Sequence, residues 1–179
     1  YDPDGVSGEK IDFMLEMRSS GRDEVSQYAE KFGVEFRKGL RPWVVPCDVA
    51  LPCAIQNELD ESDALELVKN GCKYVVEGAN MPTVPEGVEV FQKAKILFGP
   101  GKAANAGGVA TFGLEMSQNA IHLSWPREEV ESRLHTIMKN IHATCVEYGK
   151  EGDWIDYVKG ANVGAFIKVA DAMLDQGLV

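Results

Sequence analysis

Positive charge is scarce in this 179-residue chain: 18 Lys and Arg stand against 28 Asp and Glu, a formal net charge of −10. That balance opposes a phosphate backbone, and no basic stripe interleaves with aromatics, so no nucleic-acid partner is expected. Long hydrophobic runs are missing as well. Nothing approaches the roughly 18 to 20 apolar residues that span a bilayer, and the expectation is a cytoplasmic protein with no membrane partner. Cys47, Cys53, Cys72 and Cys145 have neither CxxC spacing nor a short secreted framework, and no secretory signal precedes them. Reduced, mostly buried thiols are expected. Histidine is rare, and His135 and His142 stand seven apart, whereas zinc-protease spacing is four. They read as packing or surface residues, and no metal is expected.

Two phosphate-binding motifs fail on inspection. Gly99-x-Gly101-x-x-Ala104 fits the dinucleotide pattern GxGxxG/A, but the following fifty residues look helical and supply no acidic residue at the end of a second strand. Lys102 lacks the Ser or Thr and the upstream glycine of a P-loop, since Ala103 follows it. The opening unit of a doubly wound nucleotide domain, a strand, a glycine turn and a helix, is absent: the chain starts with the turn residues Tyr1-Asp2-Pro3-Asp4-Gly5.

What is present is alternation. Helices are expected around Ile11 to Arg18 and over Asp23 to Phe32, the latter closed by Gly33, with a short strand at Val34-Glu35-Phe36. Arg41-Pro42-Trp43 reads as a loop closed by its tryptophan. Strands follow at Asp48 to Leu51, Tyr74 to Val76 and Ile96 to Phe98, separated by helices from an Asp60 cap to Val68 and over Pro85 to Ala94. Such alternation implies a parallel sheet with helices on both faces. From Gly108 the pattern is helical: to Leu123, from Pro126 to Tyr148, and one or two helices between Asp153 and Gln176. The fold class is α/β, a partial doubly wound, Rossmann-like parallel sheet followed by C-terminal helices.

Ligands of such sheets sit beyond the carboxyl ends of the strands. Three successive strand ends here carry Pro52-Cys53-Ala54, Gly78-Ala79-Asn80 and Gly99-Pro100-Gly101, and all three are expected to converge on one crevice. Asn80 and Asn105 can pair with both the carbonyl and the amino group of a carboxamide, though asparagine in a glycine-flanked loop also serves as turn chemistry. Arg18 and Arg22, near the end of the first helix, suit a phosphate or simply a solvated helix end.

These strand ends resemble the carboxy-terminal part of hexameric, NADP-type glutamate dehydrogenases. The blocks are Pro46-Cys47-Asp48-Val49-Ala50-Leu51-Pro52-Cys53-Ala54 continuing to Gln56-Asn57-Glu58-Leu59, then Glu77-Gly78-Ala79-Asn80-Met81-Pro82-Thr83, then Pro100 to Ala110, and Gly160-Ala161-Asn162 through Met173. They stand in order across essentially the whole chain. The resemblance implies reversible oxidative deamination of L-glutamate to 2-oxoglutarate and ammonia, with NADP as cofactor and a homohexamer as parent. It implies that residues 1–124 are the later portion of the cofactor domain and residues 125–179 helices that pack toward a substrate domain. The family's catalytic lysine and aspartate belong to a preceding domain, so no catalytic residue is assigned here, and this chain is expected to be inactive without the amino-terminal part of the same protein.

Residue by residue, the resemblance places Asn80 and Asn105 against the nicotinamide ribose and carboxamide, with Ala54, Gly78 and Ala79 as small neighbours, and Arg18 and Arg22 near the 2′-phosphate. On the substrate side it places Val109 and Phe112. Phe112 departs from the pattern, because the family usually has a serine there that contacts the distal carboxylate of glutamate. Phenylalanine cannot make that bond, a loss of about 1.5 to 3 kcal/mol for a bond to a charged group. Two other readings therefore stand beside the first: a non-catalytic nucleotide-binding α/β module, and a dehydrogenase for an apolar amino acid with Phe112 as a pocket wall.

Overall fold

The computed structural model describes residues 1–21 and 24–177. They form two compact units, Tyr1–Val45 and Pro46–Val179.

The first unit holds α1 (Glu9–Ser19), α2 (Val25–Phe32) and a 3-10 turn at Pro42–Val44 that buries Trp43. Gly33 ends α2 at φ 65°, a left-handed conformation that glycine adopts without a Cβ penalty. The two helices meet through aromatic rings: Phe32 sits edge-on to Phe13 at 5.7 Å and tilted against Tyr28 at 4.9 Å. Beside them the Tyr28 hydroxyl donates to Asp2 at 2.6 Å, and Lys10 reaches the same carboxylate at 2.7 Å. The strand expected at Val34 to Phe36 is not formed. An alternating triplet becomes a strand only beside a ladder partner, and here the Tyr1 amine donating to the Glu35 carbonyl stands in place of a ladder.

In the second unit β1 (Val49–Ala50), β2 (Tyr74–Val76) and β3 (Leu97–Gly99) form a parallel sheet in that order, with Val49 opposite Tyr74 and Tyr74 opposite Leu97. The third strand starts one residue later than its apolar run. Ile96 still donates its amide to the Phe91 carbonyl, closing the preceding helix through Lys95 at φ 55°. Between the strands lie α3 (Glu61–Lys69) and α4 (Pro85–Lys93). Asp60 opens α3 with a reciprocal capping box to Asp63, the carboxylate-for-amide exchange that satisfies two free donors. Pro85 opens α4, where its missing amide costs nothing. The two helices cross closely because Gly87 leaves room for Thr83 and Ala64.

One face of the sheet, with Ala50, Val75 and Phe98, forms the core with Leu67 and Phe91, and the rings of Phe91 and Phe98 stack at 5.4 Å. The other face, Tyr74, Val76, Leu97 and Gly99, looks across a cavity of about 350 Å³ at Met138, Ile141, His142 and Cys145. Helices thus lie on both faces, but those on the second come from the later part of the chain.

That part comprises α5 (Gly101–Ala104), α6 (Gly107–Ile121), α7 (Arg127–Gly149) and α8 (Tyr157–Gln176), the last a single helix. Residue 124 falls in the link between α6 and α7. A hairpin of β4 (Lys150–Glu151) and β5 (Trp154–Ile155), turning at Gly152 with φ 62°, was not anticipated. It hands the chain from α7 to α8, while Trp154 donates to the Ile96 carbonyl and Gln92 to Asp156. The two long helices then touch at backbone distance. A Cβ on Gly160 would overlap the Cys145 carbonyl, and one on Gly164 the Thr144 methyl. His142 stacks on Tyr157, and His135 is exposed on α7. Among the described residues no helix is long and apolar enough to cross a membrane.

Candidate functional site

The three strand ends do converge. Beyond β1 the Pro52 carbonyl accepts the amides of Gly78 and Ala79 at 2.9 and 3.2 Å, which lays the first loop against the second. A Cβ on Gly78 would overlap the Cys53 sulfur, so a larger residue there requires that side chain to move. Beyond β2 the chain turns at Met81, whose φ of 47° is uncommon for a side chain of that size. The turn sends Pro82 to Val84 back along Leu59: Leu59 donates to the Pro82 carbonyl and Val84 to the Leu59 carbonyl.

Beyond β3, α5 carries Asn105 at its end. Its side-chain amide donates to the Asn80 carbonyl oxygen at 2.6 Å and lies 3.4 Å from the Gly78 carbonyl. Two carboxamides are therefore joined head to tail at adjacent strand ends, with Gly78 exposed beside them, Ala79 half-buried, and Ala54 exposed in the first loop. A bond between two partly exposed amides can be exchanged for one to an external carboxamide at little cost.

Glu77 holds this arrangement and was not singled out from the sequence. It is 5% exposed, and its carboxylate accepts the Gly101 amide at 2.5 Å and the Thr83 amide at 3.2 Å. A buried carboxylate is tolerated only when its oxygens are satisfied. Here the donors are the first amide of α5 and a backbone amide of the second loop. The signal was available, since an acidic residue ending an apolar strand ahead of Gly-Ala-Asn must find donors in the neighbouring loops.

The remaining candidates stand elsewhere. Val109 and Phe112 lie one turn apart on α6, 71% and 68% exposed, in line with Met116. Arg18 is in the exposed last turn of α1, in the first unit, and Arg22 lies outside the described residues. Lys102 donates to the Asn162 side chain at 2.6 Å, tying α5 to α8. Cys72 and Cys145 are buried and Cys47 half-buried, as expected, whereas Cys53 is exposed at the crevice. Burial and the adjacent Cys72 thiol push Cys47 up to about 11, and burial also raises Cys145, so neither is a thiolate near neutral pH.

The sequence model of the Glutamate/Leucine/Phenylalanine/Valine dehydrogenase family matches residues 1–177. The NAD-specific glutamate dehydrogenase of Bacteroides fragilis (strain YCH46) is 57% identical over 181 residues, all of this chain and 41% of that protein. The NADP-specific glutamate dehydrogenase of Escherichia coli (strain K12) is 54% identical over 178 residues, 99% of this chain and 40% of that protein. A solved glutamate dehydrogenase superimposes with a TM-score of 0.92 at 46% identity, over all of this chain and 40% of that one. The chain thus spans about 40% of the length of the relatives it matches. With the strand-end blocks, the parallel sheet and the C-terminal helices all in agreement, the chain belongs to the glutamate/leucine/phenylalanine/valine dehydrogenase family.

Proposed function

We propose that this chain supplies the nicotinamide side of the cofactor cleft in an NADP-dependent glutamate dehydrogenase, which interconverts L-glutamate with 2-oxoglutarate and ammonia. The observation that carries the reading is the Asn80–Asn105 amide pair at the ends of β2 and β3. The residues present fit a nicotinamide: the pair offers a carbonyl and an amino group to its carboxamide, and Gly78, Ala79 and Ala54 keep bulk away from the same surface. When bound, the nicotinamide supplies the acceptor for hydride from the substrate carbon. This chain's part is to orient the carboxamide and ribose so that one face of the ring meets that carbon.

Of the charged groups at the strand ends, the Glu77 and Glu58 carboxylates accept backbone amides and Lys102 donates to the Asn162 side chain. Acid and base therefore come from outside this chain, which is inactive alone, and α7 and α8 pack toward the domain that holds them. Relatives are named both NAD-specific and NADP-specific, so the cofactor class is a nicotinamide dinucleotide. Arg18 and Arg22 favour NADP within that class, because a guanidinium fork matches a 2′-phosphate. A homohexamer is the proposed assembly.

Phe112 supports a second reading. With Val109 and Met116 it makes an exposed apolar strip on α6, which suits an amino acid with an apolar side chain. The test is dinucleotide reduction by protein expressed from the full reading frame, offering NADP⁺ or NAD⁺ with glutamate or leucine. Glutamate with NADP⁺ is expected to be the preferred pair. Turnover with leucine alone supports the second reading, and turnover with neither amino acid contradicts both.

A further inference from the structure

We infer that Glu77 is a positioning residue for recognition of the nicotinamide carboxamide, holding Asn80 and Asn105 in place through the Gly101 and Thr83 amides. The inference rests on the cofactor reading above and deepens it.

The bonds form a closed circuit. From Glu77 Oε2 the link runs to the Gly101 amide, and from the Gly101 carbonyl to the Asn105 amide at 2.9 Å, one helical turn later. The Asn105 side chain then donates to Asn80, and the loop returns through Met81 to Thr83, whose amide donates to Glu77 Oε1. Glu77 is itself anchored, its own amide donating to the Gly99 carbonyl at 3.0 Å. One buried carboxylate thus fixes the start of the helix bearing one asparagine and the end of the loop bearing the other.

Both of its bonds run to backbone amides and the group is shielded from water, conditions under which a carboxylate holds geometry strongly. A Cβ on Gly101 would stand 3.1 Å from Glu77 Oε2 and 2.9 Å from the Ala79 carbonyl, so the seat leaves no slack. Four-residue α5 is too short to be stable by itself, and Glu77 at its start and the Lys102 bond to Asn162 hold it from outside. Without the clamp, the two asparagines lose their common register while each keeps its side chain.

Glu77→Gln tests this, because an amide has one acceptor oxygen where two donors converge, and its NH₂ faces an N–H. Protein from the full reading frame is assayed with NADP⁺ and with the 3-acetylpyridine analogue, in which a methyl replaces the carboxamide nitrogen. Wild-type protein is expected to show a lower KM for NADP⁺ than for the analogue. In Glu77→Gln the KM for NADP⁺ is expected to rise roughly tenfold, in line with a lost hydrogen bond that leaves a polar group of the bound carboxamide unpaired. The KM for the analogue should change much less, so the preference collapses. Glu77→Asp, which keeps both acceptor oxygens on a shorter arm, should restore part of the preference, and it carries the test alone if the glutamine variant does not fold.

A merely structural role lowers stability and raises both KM values together. An unchanged KM ratio in active variants therefore overturns the inference while leaving the cofactor reading intact. Wild-type protein that reduces neither nucleotide overturns the cofactor reading and this inference with it.

Discussion

Tyr28 is a residue whose chemistry is set by its neighbours. Burial disfavours its phenolate, and the bond to the Asp2 carboxylate adds to that, pushing it from 10.0 up to about 12. A raised value means that its stabilising contribution is complete below the ordinary tyrosine pKa and is lost as pH climbs through the folded one. Asp2 runs the other way. Its bonds from Lys10 and Tyr28 hold the carboxyl below 3.8, so its contribution is present above that value and is lost as pH falls through the folded one. An ultraviolet titration of wild-type protein against Tyr28→Phe should assign to Tyr28 an ionisation well above the ordinary tyrosine value; loss of an ionisation near 10 in the variant would contradict the geometry. Phe112 offers a second residue-scale test. If the position faces the distal carboxylate of glutamate, Phe112→Ser should lower the KM for glutamate by roughly ten- to a hundredfold, the worth of one bond to a charged group. An unchanged KM would show that the position is not used. At this scale the places of Asn80 and Asn105 at adjacent strand ends were legible, because glycine-flanked loops after apolar runs are local signals. For Glu77 the sequence signals a need for donors, but not which ones, because its partners lie 6 and 24 residues away.

Elements were legible where a local signal suffices. Asp60 announced the start of α3, where the structure adds Asp63 to complete a capping box, and Asp60→Ala should cost about 1 kcal/mol in urea unfolding, the usual worth of a cap. No change in the midpoint would mean that the box adds nothing. The expected strand at Val34 to Phe36 failed because alternation says nothing about whether a ladder partner is within reach. The β4–β5 hairpin was missed for the opposite reason: two-residue strands around a glycine turn have no periodicity to read, and tertiary bonds from Trp154 hold them. Gly160 and Gly164 were visible as residues but not as a helix crossing. Gly160→Ala should destabilise by about 1 to 3 kcal/mol or more through overpacking against the Cys145 carbonyl, with the slope of the urea curve unchanged. A neutral result would contradict the close approach of α7 and α8.

At the scale of the whole molecule, three short parallel strands bring their carboxyl ends to one crevice, and the helices beyond them supply the second face of the sheet. The order of elements carried this much, because strands alternating with helices of about ten residues admit few arrangements. Which helices would cover the second face was not legible, since that depends on contacts between distant segments. Val49 on β1 and Leu51 just beyond it remain exposed, and β1 pairs with β2 alone among the described residues. On the proposed function, protein limited to these 179 residues should show no dinucleotide reduction, and turnover by it would contradict the proposal that acid and base lie outside this chain. The central claim is that the strand-end asparagines hold the nicotinamide. Its most direct test is the KM for NADP⁺ in glutamate oxidation by protein from the full reading frame, wild type against Asn80→Ala. The wild type is expected to oxidise glutamate and the variant to show a KM raised roughly tenfold; an unchanged KM, or a wild type that does not oxidise glutamate, would contradict that role.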